Sequence, residues 1–363
     1  MKLSLEPVRA RLQAPFAAAW GTIGQREIVV VRLEADDGTV GWGEAAPLPG
    51  YGCAGLEEVQ AALHRYDGVL AAASDAPRAD LLAACAAASD VSEALAAVDL
   101  ALWDLEGRRY GRPVWQMLVA QGAWDITRNI SEQYPNVPQQ PPGIPVNATI
   151  AAEDPAVVAD RVAAARAADF RCVKVKVALG DDVARLAAAR SAGGEEMAIR
   201  IDANGAWSFD QAVAKLETLA EFEIEMCEEP AHGLDEIARV AAASPIPIAL
   251  DETAAVPGAF ERRVCDAVCL KVARSGGLTG LLNSAARARA AGYRIYLAST
   301  LDGPLAVAAA LHAAAAIRPE LPCGLATLGV FADRADPLPA RGGRISVPST
   351  PGLGEGLREW YEL

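Results

Sequence analysis

From residue 145 to about residue 298 the chain repeats one scheme, a short apolar run followed by a helical stretch. The apolar runs fall at 145–150, 172–177, 198–202, 224–228, 246–251, 267–271 and 293–298. The period is roughly 20–30 residues, the length of one strand plus one helix. Strands alternating with helices at that spacing imply a parallel sheet. Seven or eight such units in a row imply a closed (β/α) barrel. Residues 324–331 supply the candidate last strand, and Ser208 stands as the N-cap of the helix that opens at Phe209.

The rest of the chain has a different texture. At 363 residues it is too long for one ordinary domain. Residues 1–50 are β-rich, with a strand at 28–33, an Asp-Gly turn at Asp37-Gly38 and a partner strand at 40–44. Two flanking segments, 14–24 with Phe16, Trp20 and Ile23, and 47–52 with Tyr51, read as loops that carry apolar residues. Such loops cover something, either the neighbouring domain or a site. Residues 56–118 turn helical, with apolar positions at three and four through 92–105. The Pro-rich stretch 134–145 reads as a linker. The expected organisation is an N-terminal α+β domain over 1–122 and a barrel over 123–341, with the tail 342–363 returning to the first domain.

The strand 172–177 fixes where chemistry is expected. Val173, Val175 and Val177 share one face, and Lys174 and Lys176 the other. Two ammonium groups on the inner face of a buried strand need negative charge opposite them. Asp202, Glu228 and Asp251 supply it, each ending a later apolar run, and Lys271 ends the next. From Lys176 the intervals are 26, 26, 23 and 20 residues, one unit each. In a barrel of this kind strand C-termini converge on one mouth. Three carboxylates from adjacent strands make an all-oxygen nest suited to Mg²⁺, with Mn²⁺ as a substitute. No His or Cys is expected in the nest, which disfavours zinc. Such a cation stabilises the charge that forms when a base removes the proton next to a substrate carboxylate. Lys176 and Lys271 are the candidate base and acid, with pKa values expected to fall toward the working range. Lys174 is placed to orient the carboxylate.

Charge and cysteine usage narrow the partners. The net charge is −14 and no basic block appears, which argues against nucleic acid or an anionic membrane surface. The seven cysteines are dispersed without a C-x-x-C, so free thiols in a reducing, cytoplasmic setting are expected. The partner expected is a small carboxylate substrate, together with further copies of the chain in a homo-oligomer.

Several motifs in order carry a resemblance: the Lys-x-Lys strand, Asp202-Ala203-Asn204, Glu228-Glu229-Pro230, Asp251-Glu252, and Lys271 followed by Gly276-Gly277. Together they resemble the enolase superfamily, in its muconate-lactonizing subgroup, over nearly the whole chain. A lysine base working with Mg²⁺ is a general feature of that superfamily. The resemblance implies an α/β fold, a (β/α)7β modified TIM barrel with an α+β N-terminal capping domain. It implies Asp202, Glu228 and Asp251 as ligands and Asn204, Glu229 and Glu252 as supporting groups. Residues 41–51, 145–150 and 324–328 look most similar to o-succinylbenzoate synthases. That implies dehydration of a succinyl-hydroxycyclohexadiene carboxylate in menaquinone synthesis. Val272 after Lys271 looks more like cycloisomerases and epimerases, and Ser299-Thr300 stands where a Glu-Ser pair is usual. Racemization of N-succinylamino acids, epimerization of dipeptides and cycloisomerization therefore stay open. Trp20, Tyr51, Ser299 and Asp302 are candidate substrate contacts, with Asp302 alternatively the cap of the helix at Gly303-Pro304. His232 follows the Glu-Glu-Pro motif and is a further candidate for the mouth.

Overall fold

The computed structural model describes residues 1–73, 76–120 and 143–362. The linker and the domain boundary expected within 123–145 fall almost wholly outside these residues. Strands β1 (Lys2–Ala18), β2 (Gly21–Glu34) and β3 (Val40–Ala45) form an antiparallel sheet in that order. Four helices follow: α1 (Leu56–Ala72), α2 (Arg78–Ala88), α3 (Ser92–Tyr110) and α4 (Val114–Ala120). Helix α3 lies directly under β3. A Cβ on Gly41 would collide with the Ala101 carbonyl, and one on Gly43 with the Ala97 carbonyl, so only glycine allows this approach.

Segment 14–24 is not a loop. It is the tip of the β1–β2 hairpin, where Phe16 pairs with Ile23 and Ala18 with Gly21. The register shifts between Arg11 and Phe16, across Pro15, and pairing then resumes. The shift disguises the strand, because it breaks the two-residue alternation that marks one.

The parallel sheet contains β5 (Ala148–Ile150), β6 (Cys172–Lys176), β7 (Ala198–Asp202), β8 (Ile224–Glu228), β9 (Ile248–Leu250), β10 (Ala267–Leu270) and β11 (Arg294–Leu297), side by side in sequence order. Before them, β4 (Ile144–Pro145) pairs with β12 (Arg344–Ile345). Crossover helices α5 (Pro155–Ala167), α6 (Asp182–Gly193), α7 (Phe209–Leu219), α8 (Leu234–Ala243), α9 (Leu278–Ala290) and α10 (Pro304–Ile317) surround the sheet. Between β9 and β10 the connection is a 3-10 turn, Glu252–Ala255, and irregular backbone. Ser208 caps α7 in a reciprocal capping box with Gln211.

The ring closes without a regular eighth strand. Cys323 bridges to Val146 and Gly324 to Ala298, so two residues join the end of β11 to the start of β5. The expected strand over 324–331 is reduced to this contact, and Leu328–Val330 is a 3-10 turn. The tail returns over the first domain: the Leu353 amide donates to Asp104 Oδ1 at 2.8 Å, and the Tyr361 hydroxyl donates to buried Glu44. Val173, Val175 and Val177 face outward into the main apolar core against the helices. Each such buried side chain contributes roughly 1.5–3 kcal/mol. No helix among the described residues is long and apolar enough to cross a membrane.

Candidate active site

Alternation along β6 sends Lys174 and Lys176 into the barrel, and both are buried. Lys174 Nζ donates to Asp202 Oδ2 and to Glu228 Oε1, each at 2.9 Å. Lys176 Nζ donates to Asp202 Oδ2 at 2.6 Å and to Asn204 Oδ1 at 2.8 Å. Lys271, just past β10, contacts Asp251 and the Tyr51 hydroxyl. Strands β6 and β10 stand four places apart in a ring of eight rungs. The two lysines therefore approach the mouth from opposite sides.

The carboxylates do not sit as one symmetric triad. Ligand atoms of Glu228, Asp251 and Cys269 lie within 4.8 Å of one another. Asp202 stands beside them, bound to both β6 lysines and to the Asn204 amide at 3.0 Å. The presence of Cys269 corrects the expectation that no cysteine shares the nest. It lies two residues before Lys271, so strand alternation turns it inward as well. Burial and Asp251 push its thiol far above its ordinary value. Three carboxylates, Asp202, Glu228 and Asp251, outnumber the one thiol, and hard oxygen donors in that majority with no histidine among them fit a divalent cation such as Mg²⁺ better than zinc.

The fall in pKa expected for Lys271 is not found, and Lys174 shifts upward with it. Burial works against both ammonium groups, but Asp202 and Glu228 around Lys174, and Asp251 beside Lys271, outweigh it and raise both. Asp251 shifts to match: burial raises it, Lys271 overrides that, and the result is about 2.

A supporting layer holds these groups. Glu229, fully buried, accepts from the Asp251 amide at 2.7 Å, the Thr253 amide at 2.9 Å and the Thr253 hydroxyl. Its backbone is left-handed, φ 40°, as is that of Asn204, φ 45°. Such conformations persist only where the surroundings over-determine them. Asn204 Nδ2 donates to Glu252 Oε1 at 2.9 Å, and burial with Asp251 pushes Glu252 up to about 9. His232 bonds Glu229 at 3.1 Å and backs the motif; it does not line the cavity.

Above the lysines opens a cavity of about 520 Å³. Tyr51, Leu48 and Phe16 from the first domain wall one side, with Lys176 Nζ 6.0 Å from the Phe16 ring centre. Arg26 secures this wall by donating to the carbonyls of Ala46, Pro47 and Leu301. Ser299 lines the cavity and its hydroxyl pairs with that of Thr327 at 2.8 Å. Two of the candidate substrate contacts, like His232, do not line it. Trp20 packs edge-on behind Tyr51, ring centres 6.5 Å apart. Asp302 is buried and accepts from the Thr300 amide at 3.0 Å. It is not the helix cap either, since Gly303 holds that place and no side chain caps α10.

A family profile described as "Enolase C-terminal domain-like" matches residues 157–360, more than half of the chain. The chain belongs to the enolase superfamily. A second profile, "Mandelate racemase / muconate lactonizing enzyme, N-terminal domain", matches residues 2–119. Among superfamily relatives, the L-Ala-D/L-Glu epimerase of Bacillus subtilis is 28% identical over 98% of this chain and 96% of its own. The o-succinylbenzoate synthase of Mycolicibacterium smegmatis is 39% identical, over 57% of this chain and 66% of its own. A dipeptide epimerase from Cytophaga hutchinsonii, solved with Mg and the dipeptide D-Ala-L-Val, superposes with a TM-score of 0.85 at 25% identity, covering 99% and 98% of the two chains.

Sequence reasoning missed two groups that stand beside the candidate ligands. One is Cys269. The other is Tyr296 of β11, whose hydroxyl donates to Glu228 Oε2 at 2.6 Å. The parity of Cys269 with Lys271 was a usable signal. Tyr296 had none, because its run holds no charged residue of known facing.

Proposed function

We propose that this superfamily member is a Mg²⁺-dependent lyase acting on a small dicarboxylate, an o-succinylbenzoate synthase. The observation that carries this reading is the charge lining the cavity. Lys174, Lys176, Lys271 and Arg161 line it, and among the described residues Asp251 is the one carboxylate that does, already engaged by Lys271. An unmodified dipeptide brings an ammonium group, which is costly to desolvate without a carboxylate to meet it. A succinyl compound brings a second anion instead, and suits the walls. The identity to mycobacterial synthases supports the same choice.

Asp202, Glu228 and Asp251 would hold Mg²⁺, which would supply positive charge where the substrate carboxylate gathers negative charge. Lys176 takes the proton from the carbon next to that carboxylate, and the C–H electron pair moves into the enediolate. Lys271, on the opposite side, sets its ammonium against the developing charge. As the electrons return and expel hydroxide, Lys176 gives the proton back, and water leaves. Lys174 holds Asp202 and Glu228 in register throughout. The buried free thiols suit a reducing compartment, and we place the protein in the cytoplasm.

The test is to supply 2-succinyl-6-hydroxy-2,4-cyclohexadiene-1-carboxylate with Mg²⁺ and follow aromatization in the ultraviolet. Aromatization at an enzymatic rate supports the reading, and its absence overturns it. The opposed lysines and the full-length match to a dipeptide epimerase favour a second reading, racemization of N-succinylamino acids or epimerization of dipeptides. Solvent deuterium entering both enantiomers of an N-succinylamino acid would support that one.

A further inference from the structure

Helix α5 presents one stripe to the cavity: Arg161, Ala164, Ala165 and Ala168, spaced three, four and seven from Arg161. The alanines leave room, and the arginine stands at the end of the stripe. Its NH1 donates to the Ala151 carbonyl, just past β5, at 3.3 Å. That bond holds the guanidinium against the wall and leaves most of its five donors unused. Among the described residues Arg161 makes no ion pair. The lysines that line the same cavity are buried and engaged by Asp202, Glu228 and Asp251, whereas Arg161 is exposed at the rim.

We propose that Arg161 is a specificity residue that receives the second carboxylate of the substrate at the cavity rim, while the first lies between the lysines. The planar fork of a guanidinium matches a carboxylate in two parallel hydrogen bonds, and a lysine reproduces the charge without that fit. The inference deepens the dicarboxylate reading above and rests on it. It adds the group that separates a succinyl compound from one ending in methyl.

The experiment compares two ligands of one skeleton on the full chain with Mg²⁺: o-succinylbenzoate and 2-butyrylbenzoate, which carries a methyl group in place of the distal carboxylate. Binding is read by calorimetry or by tryptophan fluorescence. Arg161→Met should weaken o-succinylbenzoate about tenfold or more and leave 2-butyrylbenzoate within about twofold, as loss of a charge-assisted hydrogen bond predicts. Arg161→Lys should recover part of the loss. On the cyclohexadiene substrate the Met variant should raise KM and hold kcat. Equal loss on both ligands, or loss on neither, overturns the proposal. If wild type fails to aromatize the cyclohexadiene, the synthase reading falls, and the same comparison moves to an N-succinyl- and an N-butyrylamino acid. A preference for the succinyl compound that Arg161→Met abolishes then sustains the inference. No preference, or one that survives the substitution, overturns it.

Discussion

The Tyr296 hydroxyl on β11 donates to Glu228 Oε2 on β8 at 2.6 Å, across the barrel interior from three strands away. Lys174 occupies the other oxygen of Glu228. The candidate ligand is thereby held at both ends. Partners of ligating carboxylates commonly cost 10–100-fold in metal affinity when removed. Tyr296→Phe keeps the ring and removes the hydroxyl. It should weaken Mg²⁺ binding about tenfold with little change in thermal stability, as read by a Mg²⁺ titration of activity and a melting curve. Unchanged Mg²⁺ dependence would mean that Tyr296 merely fills space.

Lys176 and Lys271 face each other, but the proposed lyase asks them for different work. Lys176→Ala should lower kcat by about 10²–10⁴-fold, the usual contribution of a positioned base. Lys271→Arg keeps a positive charge and should retain more activity than Lys271→Ala. In a racemase either substitution would abolish exchange from one enantiomer only, so deuterium exchange followed by NMR separates the two roles.

Chelation with EDTA should abolish turnover, and added Mg²⁺ or Mn²⁺ should restore it. Binding to the folded chain alone also raises stability, by about 2.7 kcal/mol at a hundred times Kd. The melting temperature should therefore climb with Mg²⁺ concentration. In an Asp251→Asn variant this climb should largely vanish.

His312 of α10 is fully buried, accepting from the Trp115 amide at 3.2 Å and donating through Nε2 to the Leu353 carbonyl at 3.1 Å. Burial pushes it from 6.5 down to about 4. The unfolded chain thus binds a proton between these values that the folded chain refuses. The contribution of this neutral imidazole is full above pH 6.5 and shrinks as pH falls, by about 2 kcal/mol at pH 5 and about 3 kcal/mol at pH 4. Urea unfolding of wild type and His312→Gln at pH 7 and pH 5 isolates this contribution: between those values wild type should lose about 2 kcal/mol more than the variant.

Much of the barrel was readable because both faces of its strands are buried, which leaves dense Val and Ile runs closed by a charged residue. The carboxylates and lysines were readable for the same reason, since each ends a run in matching register. The Phe16 hairpin was not, because its register shift erased the alternation, and the last rung was not, because two residues carry no periodic signal. Asp302 was misjudged through proximity in sequence: next to a helix start, it nevertheless turned back to Thr300.

The order of strands, the side of the barrel on which charge gathers, and the types of groups gathered there follow from the amino-acid sequence, because strand alternation and unit length are local rules. Which carboxylate meets which lysine, that Cys269 and Tyr296 stand among them, and that Arg161 rises at the rim while Trp20 withdraws behind Tyr51, were decided only in three dimensions. Those pairings join residues as much as 220 positions apart, Lys271 with Tyr51. Only the closure of the ring and the seating of the first domain upon it bring them within reach.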